Sequence, residues 1–295
     1  MLTFETVNEA YYEMSKLLIN KGKHINNTHE LNNVIFQIED VREPFAVMRG
    51  TSDWGLPIEY NLAELIWYFS ASNSVKYIGS FAKLWNKIKN EDGETVNSAY
   101  GYILHNKFGF DQLQVAIEAL LKDENTRRAT IKFNTPHFEL SNTGGVIDAS
   151  NIGDEVCTMY ADFMIRDNKL NMAVSMRSND IWSGFSADVV YFTCLQKLVL
   201  HELNKHGHNY ELGTYTHHAN SFHVYDRQFE RLSKLVEDYK PEKVAPGKID
   251  VLKLKELANQ CYFLIMDKID RGYDKKELNK FVYDLCVDSK ILVLK

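Results

Sequence analysis

The sequence predicts an α+β fold in which a mixed or antiparallel sheet is backed by helices. Between residues 159 and 176, apolar and polar residues alternate on both sides of Asp167–Asn168, as in a β-hairpin with one buried face. From Gly184 to Lys205 the apolar residues recur at helical spacing, and Gly207 is placed to end that helix. Residues 210–225 then indicate a further strand.

Helices and strands also alternate before the hairpin. Residues 4–20 carry apolar side chains at helical spacing, and residues 34–38 follow a polar break as a strand. The run AELIWYF around Glu64 predicts a second helix, and YIGSFAKLWNKIKNEDGE a third segment that ends in a turn. Residues 110–133 predict a helix, a charged turn and a strand that begins at the pair Arg127–Arg128.

The cluster of Pro241, Pro246 and Gly247 marks a boundary. We therefore expect a main domain over residues 1–238. Residues 249–295, which are rich in lysine and patterned as helices, form a helical C-terminal extension in this interpretation.

Composition limits the possible partners and location. A formal net charge of −6 makes nucleic acid an unlikely partner, because such binders need excess Lys and Arg. No apolar run approaches the roughly 18 residues of a membrane span, and the N-terminus is not patterned as a signal peptide, so we expect a cytoplasmic protein without a membrane segment. The four cysteines show no spacing suited to zinc, so we expect reduced thiols and no metal.

A few residues could carry chemistry, although each one alone is ambiguous. Cys157 precedes a strand and is followed by polar Thr158, but a lone cysteine is more often a core residue. The pair Arg127–Arg128 and the run RSND from Arg177 supply donors suited to a phosphate monoester, yet single arginines are usually surface charges. His223 and Tyr225 lie on the same face of a strand.

In their order along the chain, these pieces resemble the thymidylate synthase family. The shared pattern is an arginine pair opening a strand, a cysteine about thirty residues later, RSxD, a Gly-initiated helix and an HxY strand. The resemblance is strong over residues 127–227. It extends more weakly to Glu64, Trp85 and the pair Tyr100–Gly101.

This resemblance implies a chemistry and a set of ligands. The Cys157 thiolate would add to C6 of a pyrimidine nucleoside monophosphate, so that C5 can attack the one-carbon unit of 5,10-methylenetetrahydrofolate, the cosubstrate. Arg177 would help to ionise the thiol and, with Ser178, hold the 5′-phosphate. In the family the tandem arginines, here Arg127 and Arg128, come from the other subunit, which implies a homodimer with shared active sites.

The other roles implied by the resemblance are as follows. Glu64 matches the general acid/base that acts through ordered water, and Tyr100 is grouped with it as catalytic. His223 and Tyr225 match the binders of the ribose 3′-hydroxyl. The residues that match folate contacts are Trp85, Asp180 and Gly184.

Departures from the family pattern indicate a branch. Asp188 stands where thymidylate synthases carry Asn. Because a carboxylate accepts a hydrogen bond from the 4-amino group of cytosine, this Asp favours the phage-type branch of the family, which hydroxymethylates deoxycytidylate. An Asp in the first turn of a helix is also favoured by the helix dipole. Val156-Cys157-Thr158 replaces the usual Pro-Cys-His, and the terminal SKILVLK lacks the apolar end that excludes water. We therefore expect water, rather than hydride, to complete the reaction.

Several alternatives stay open at this level. The RTGT-type loop has no clean match, and either Arg42 or Arg49 could complete the phosphate site. The product could be methylated rather than hydroxymethylated, and the substrate could be CMP or dUMP. A cysteine hydrolase built on Cys157 and His223 would leave the arginines and Asp188 without a purpose. A non-catalytic nucleotide-binding relative would not need Cys157, Glu64 and Tyr100 together.

Overall fold

The computed structural model describes residues 1–46, 58–134, 154–238 and 247–294. The helices and strands in those ranges are β1 (Leu2–Thr6), α1 (Val7–Lys21), β2 (Lys23–Ile25), β3 (Thr28–Asp40), α2 (Ile58–Phe69), α3 (Val75–Phe81), α4 (Trp85–Ile88), α5 (Tyr100–His105), α6 (Gln112–Lys122), β4 (Thr130–Lys132), β5 (Thr158–Arg166), β6 (Lys169–Asp180), a π-helical turn (Ile181–Phe185), α7 (Ser186–Lys205), β7 (Glu211–Tyr225), α8 (Asp226–Glu237), β8 (Gly247–Ile249), α9 (Val251–Asp270), α10 (Lys275–Asp288) and β9 (Leu292–Leu294).

The central sheet is mixed, as predicted. Its strand order is β1-β3-β7-β6-β5-β4, with β2 paired to β3. The β1–β3 and β6–β7 pairs are parallel, and the remaining pairs are antiparallel. The end of β6, the end of β7 and the start of β5 lie at the same end of this sheet, where the polar residues of the candidate site are found.

The predicted hairpin forms because its turn and its alternation agree. Asp167 and Asn168 have φ values of 52° and 60°, the left-handed conformation that a two-residue type I′ turn requires. The predicted inward positions of the strands are buried from Ala161 to Met176, with the exception of the first, Met159. They pack with α7, whose Phe192, Leu195, Val199 and Leu203 are also buried.

The predicted N-terminal helix and the strand at residues 34–38 are both present, but their bounds differ from the prediction. Residues 2–6 form a strand parallel to β3, and the helix begins at Val7, where the Thr6 side chain accepts from the Glu9 amide (3.2 Å). The polar break is β2 and the first part of β3, joined by a turn at Asn26 (φ 56°). Backbone pairing with β7 holds these polar residues in a strand despite their composition.

Two further boundaries differ from the prediction. The strand expected from Arg127 begins at Thr130. The helix expected from Gly184 begins as a π-helical turn at Ile181 and becomes α-helical at Ser186. Because the Asp180 carboxylate accepts from the amides of Trp182 and Ser183 (both 2.9 Å), the chain turns into this segment earlier than its glycine suggests.

The C-terminal extension is helical, as predicted, and packs on the rest of the chain. Helices α9 and α10 lie against α2 and α3. Tyr262 stacks on Tyr77 with ring centroids 4.7 Å apart, and the Ser72 hydroxyl donates to the Tyr262 hydroxyl (3.1 Å). Ile265 and Val282 are fully buried in the common core. The division into two domains at residues 238 and 249 remains a prediction.

No helix within the described ranges combines the length and the apolar character needed to cross a membrane.

Candidate active site

Cys157 lies directly before β5 as a half-buried free thiol. Arg177, on the neighbouring strand β6, holds the peptide that carries it. The Arg177 amide donates to the Cys157 carbonyl (2.9 Å), and the guanidinium donates from Nη2 to the Glu155 carbonyl (2.8 Å) and from Nε to the Val156 carbonyl (3.3 Å). The Arg177 side chain remains 35% exposed, so it is also accessible to an anion.

The thiol is protonated in the free protein at neutral pH. Burial raises the pKa of Cys157 to about 11, and the charge of Arg177 opposes that increase without cancelling it. Asp188, Asp154 and Glu155 raise the pKa further. Arg177 therefore acts in the direction that the sequence predicted, but burial is the larger effect.

Glu64 is a buried carboxyl on α2 with aromatic partners. It accepts a hydrogen bond from the Tyr60 hydroxyl (2.7 Å), which in turn accepts from Trp85 Nε1 (3.0 Å). Tyr68 also hydrogen-bonds to it. Burial raises the pKa of Glu64 to about 8, and the charge of Asp188 adds to that increase. A carboxyl with such a pKa can accept and release a proton near neutral pH.

Asp188, in the first turn of α7, belongs to a network of side chains. Asn179 Nδ2 donates to Asp188 Oδ2 (2.8 Å), and Tyr100 also hydrogen-bonds to the carboxyl. The Thr158 hydroxyl donates to the Tyr100 hydroxyl (2.8 Å), which leaves the Tyr100 proton for Asp188. Burial raises the pKa of Asp188 to about 7. The carboxyl therefore exists in both protonation states near neutral pH.

Gly184 leaves the space in which Asn179 meets Asp188. A Cβ atom at Gly184 would lie 2.8 Å from Asn179 Nδ2 and 3.4 Å from Asp188 Oδ2. The first contact would displace the Asn179 amide, since 2.8 Å is closer than a Cβ atom approaches another heavy atom, whereas 3.4 Å is an ordinary van der Waals contact. This local role is separate from the folate contact predicted for Gly184.

The HxY element lies beside the same residues. His223 is the register partner of Asp180, and its ring is 5.1 Å from that of Tyr225 at a nearly perpendicular angle. Burial raises the pKa of Tyr225, and so does the charge of Asp180. Cys157 and Arg177 also affect that pKa, so Tyr225 faces the region of the thiol.

The predicted phosphate ligands divide into two groups. Arg177 and Ser178 are half-buried at the end of β6 near Cys157. Arg127 and Arg128 are exposed in the turn before β4, and within the described ranges no hydrogen bond or ion pair joins them to Cys157 or Arg177.

The two candidates for the N-terminal phosphate ligand differ. Arg42 is 70% exposed and forms an ion pair with Asp40, Nη2 to Oδ2 at 2.5 Å. That pairing lowers the pKa of Asp40, chiefly through the hydrogen bond from Arg42. Arg49 lies outside the described residues.

Sequence reasoning did not assign roles to Tyr60, Thr158 and Asn179. Tyr60 precedes Glu64 by one helical turn, a spacing that could have identified it. Asn179 stands inside the RSND run. Thr158 meets Tyr100 across 58 positions of sequence, a contact that no local pattern indicates.

The chain is similar to several known proteins. A family model described as thymidylate synthase matches residues 10–277. The chain is 30% identical over 174 residues to a deoxycytidylate 5-hydroxymethyltransferase of Enterobacteria phage T4, which covers 58% of this chain and 68% of that protein. It is 29% identical over 180 residues to a deoxyuridylate hydroxymethyltransferase of Pseudomonas phage M6, covering 60% of this chain and 47% of that protein.

Two cellular proteins extend the comparison. A thymidylate synthase of Fusobacterium nucleatum is 29% identical over 205 residues, 68% of each chain. The solved structure of thermostable thymidylate synthase A from Bacillus subtilis superposes with a TM-score of 0.60 and covers 80% of this chain and 85% of that one. At 21% identity this likeness shows the fold, and it confirms the predicted α+β architecture.

Proposed function

This chain belongs to the thymidylate synthase family, and from that premise we propose that it is a deoxycytidylate 5-hydroxymethyltransferase. Enzymes of this family transfer a one-carbon unit to C5 of a pyrimidine nucleotide, with methylenetetrahydrofolate as the cosubstrate. In the proposed reaction, dCMP, methylenetetrahydrofolate and water give 5-hydroxymethyl-dCMP and tetrahydrofolate.

The observation that carries the choice of cytosine is the half-buried carboxyl of Asp188, which is hydrogen-bonded to Asn179 and Tyr100. A carboxyl whose pKa is about 7 can present one protonated and one unprotonated oxygen. Cytosine offers the complementary edge, an acceptor at N3 and a donor at its 4-amino group. Uracil offers the reverse, a donor at N3 and an acceptor at O4, and an ionised carboxyl has no proton to donate to O4. A site that pairs a buried polar edge discriminates strongly against the analogue with the wrong pattern.

The contacts of Asp188 favour this role over that of a helix cap. Among the described residues, the hydrogen bonds of the Asp188 carboxyl go to the side chains of Asn179 and Tyr100. The capping that this segment needs is supplied earlier, by Asp180 at the π-helical turn. Asp188 is therefore available to a ligand.

The covalent steps use the buried groups around the thiol. We propose that the Cys157 thiol releases its proton to solvent as Sγ bonds to C6 of the ring, which makes C5 nucleophilic towards the methylene carbon of the folate. Glu64 relays the protons that C5 and the leaving folate exchange, since its pKa of about 8 allows both states. Loss of the C5 proton and of tetrahydrofolate leaves an exocyclic methylene. Water adds to that carbon, and the thiol departs from C6.

Binding of the nucleotide is proposed to require two chains. Arg177 and Ser178 hold the 5′-phosphate within one protomer, and His223 and Tyr225 hold the ribose 3′-hydroxyl. Arg127 and Arg128, exposed and unpaired among the described residues, reach the phosphate of the neighbouring subunit in a homodimer. Trp85, Asp180 and Gly184 face the folate in this proposal.

A second candidate is hydroxymethylation of dUMP. It is favoured by the similar identity, 29%, to a deoxyuridylate hydroxymethyltransferase. The two candidates differ at Asp188, because uracil would need an acceptor for N3–H and a donor for O4.

Mass spectrometry of the products separates these possibilities. The chain is incubated with methylenetetrahydrofolate and dCMP, CMP or dUMP in turn, with Cys157→Ala as the control. We expect a hydroxymethyl product from dCMP, one oxygen heavier than the methyl product, and none from the control. A methyl product, or a product from dUMP alone, would contradict the proposal.

A further inference from the structure

We propose that His24, His29 and Asp226 form a binding site, outside the active site, for a divalent transition-metal ion such as zinc. Each residue offers one ligand atom, and the three atoms lie within 4.8 Å of one another. His24 Nε2 is 3.0 Å from Asp226 Oδ2, and His29 Nε2 is 3.6 Å from Asp226 Oδ1. In a tetrahedral zinc site with ligands at about 2.0–2.1 Å, neighbouring donor atoms are roughly 3.4 Å apart.

The three side chains are positioned by the backbone. His24 and His29 are direct register partners on the antiparallel strands β2 and β3, so their side chains project from the same face. The Asp226 amide donates to the Asn27 carbonyl in the turn between those strands (2.9 Å). Asp226, the first residue of α8, is thereby attached to the hairpin that carries both imidazoles.

The orientation of His29 is fixed further by an aromatic contact. Its ring stacks on Phe229, one turn along α8, with centroids 3.9 Å apart, and its side chain is only 24% exposed. His24 lies edge-on to His29 at 5.0 Å. A site whose ligands are already oriented loses less entropy when the ion binds.

The chemistry of the donors selects the class of ion. Two imidazoles and one carboxylate suit zinc and its neighbours in the first transition series, whereas calcium and magnesium prefer oxygen ligands alone. The fourth position of the ion faces solvent, because His24 and Asp226 are 54% and 45% exposed.

The ion would join the hairpin to the end of β7. Asp226 directly follows Tyr225, which is one of the proposed nucleotide ligands. Bound metal would therefore attach β2 and β3 to the start of α8 and stabilise the folded chain without taking part in the reaction.

Isothermal titration of the metal-free, full-length chain with zinc chloride tests the site. We expect one equivalent to bind, with an accompanying increase in Tm. His29→Ala and Asp226→Asn should each weaken binding by at least about 100-fold, more than the loss of an outer-sphere partner usually costs. Cobalt chloride should give the visible absorption of a tetrahedral site in the parent and not in these variants.

Two controls make the result specific. His208→Ala removes an exposed imidazole that stacks on Tyr210 much as His29 stacks on Phe229, and it should leave zinc binding unchanged. Cys157→Ala excludes the half-buried thiol as the zinc ligand and should also bind one equivalent. The proposal is overturned if no equivalent binds, or if His29→Ala and Asp226→Asn bind zinc as the parent does. Melting of the metal-free variants verifies that they are folded.

Discussion

The site is built on a buried carboxyl, Glu64, and a half-buried one, Asp188, in the region of one thiol. Burial raises the pKa of Glu64 to about 8 and that of Asp188 to about 7, and their hydrogen-bond partners differ. Glu64 is surrounded by tyrosines, while Asp188 is paired with Asn179. Separate environments allow one carboxyl to relay protons and the other to bind the base.

The first prediction concerns the thiol. Cys157→Ala should reduce turnover by at least about 10⁴-fold, because the covalent bond to C6 cannot form. Nucleotide binding and the fold should persist, since the phosphate ligands and the core are unchanged. Product formation and dCMP binding are measured on the same preparation. Cys194→Ala, at a buried cysteine of α7, is the matched control and should keep turnover, so activity retained by Cys157→Ala would contradict the mechanism.

The second prediction follows from the pKa of Glu64. Because this pKa is raised from about 4.5 to about 8, the folded chain holds more protons than the unfolded chain between those pH values. The free energy of unfolding therefore falls as pH rises through this window. Glu64→Gln removes this pH-dependent loss of stability, and it keeps an oxygen that can accept the hydrogen bond from Tyr60. The variant should gain up to a few kcal/mol relative to the parent at pH 8, and little near pH 4.5.

Urea unfolding at the two pH values measures this difference. As the control, Glu59→Gln, on the same helix, should change the free energy of unfolding by the same amount at both pH values. If the gain of Glu64→Gln were the same at pH 4.5 and pH 8, Glu64 would not be a carboxyl held protonated by burial.

At the element scale, the hairpin and the long helix were predictable because local signals agreed. The Asp167–Asn168 turn and the alternation of β5 and β6 point to one register. Strand β1 and the β2–β3 hairpin were missed because their polar residues are held by pairing with distant strands. The sequence indicated Cys157, Glu64 and Asp188 as candidate site residues. It did not indicate Thr158, because the hydrogen-bond partner of Thr158, Tyr100, is distant in sequence.

The third prediction tests how the C-terminal helices contribute. Ile265 on α9 is fully buried in the core shared with α2, so Ile265→Ala should destabilise the chain by about 2–5 kcal/mol. Phe263, on the same helix, is 69% exposed, and Phe263→Ala should change stability by about 0.5 kcal/mol or less. Chemical denaturation followed by circular dichroism measures both. Equal, small effects would show that α9 adds little to the folded core.

In the whole molecule, the four side chains proposed to bind the phosphate fall into two groups. The half-buried Arg177 lies near Cys157, but Arg127 and Arg128 project into solvent. The proposed homodimer explains their exposure, since each pair would serve the neighbouring thiol.

The fourth prediction is complementation between inactive variants. Arg127→Glu and Cys157→Ala should each lose activity as pure proteins, the first because a carboxylate repels the phosphate. Mixing them after subunit exchange should restore one working site per heterodimer, in which one chain supplies the thiol and the other the arginine. Mixing Arg177→Glu with Cys157→Ala is the matched control and should restore nothing, because both residues are needed in one chain. If the two mixtures regained the same activity, or if neither regained any, the proposal of shared active sites would be contradicted.

The central claim, that Asp188 selects cytosine, is tested most directly by the ratio of kcat/KM for dCMP to that for dUMP. It is measured in the parent and in Asp188→Asn near neutral pH, where the carboxyl is partly protonated. We expect the parent to prefer dCMP and the ratio to fall by roughly 10²-fold or more in the variant. If Asp188 served only the first turn of α7, Asn would replace it with little effect on specificity. A parent that prefers dUMP, or a ratio that the substitution leaves unchanged, would contradict the claim.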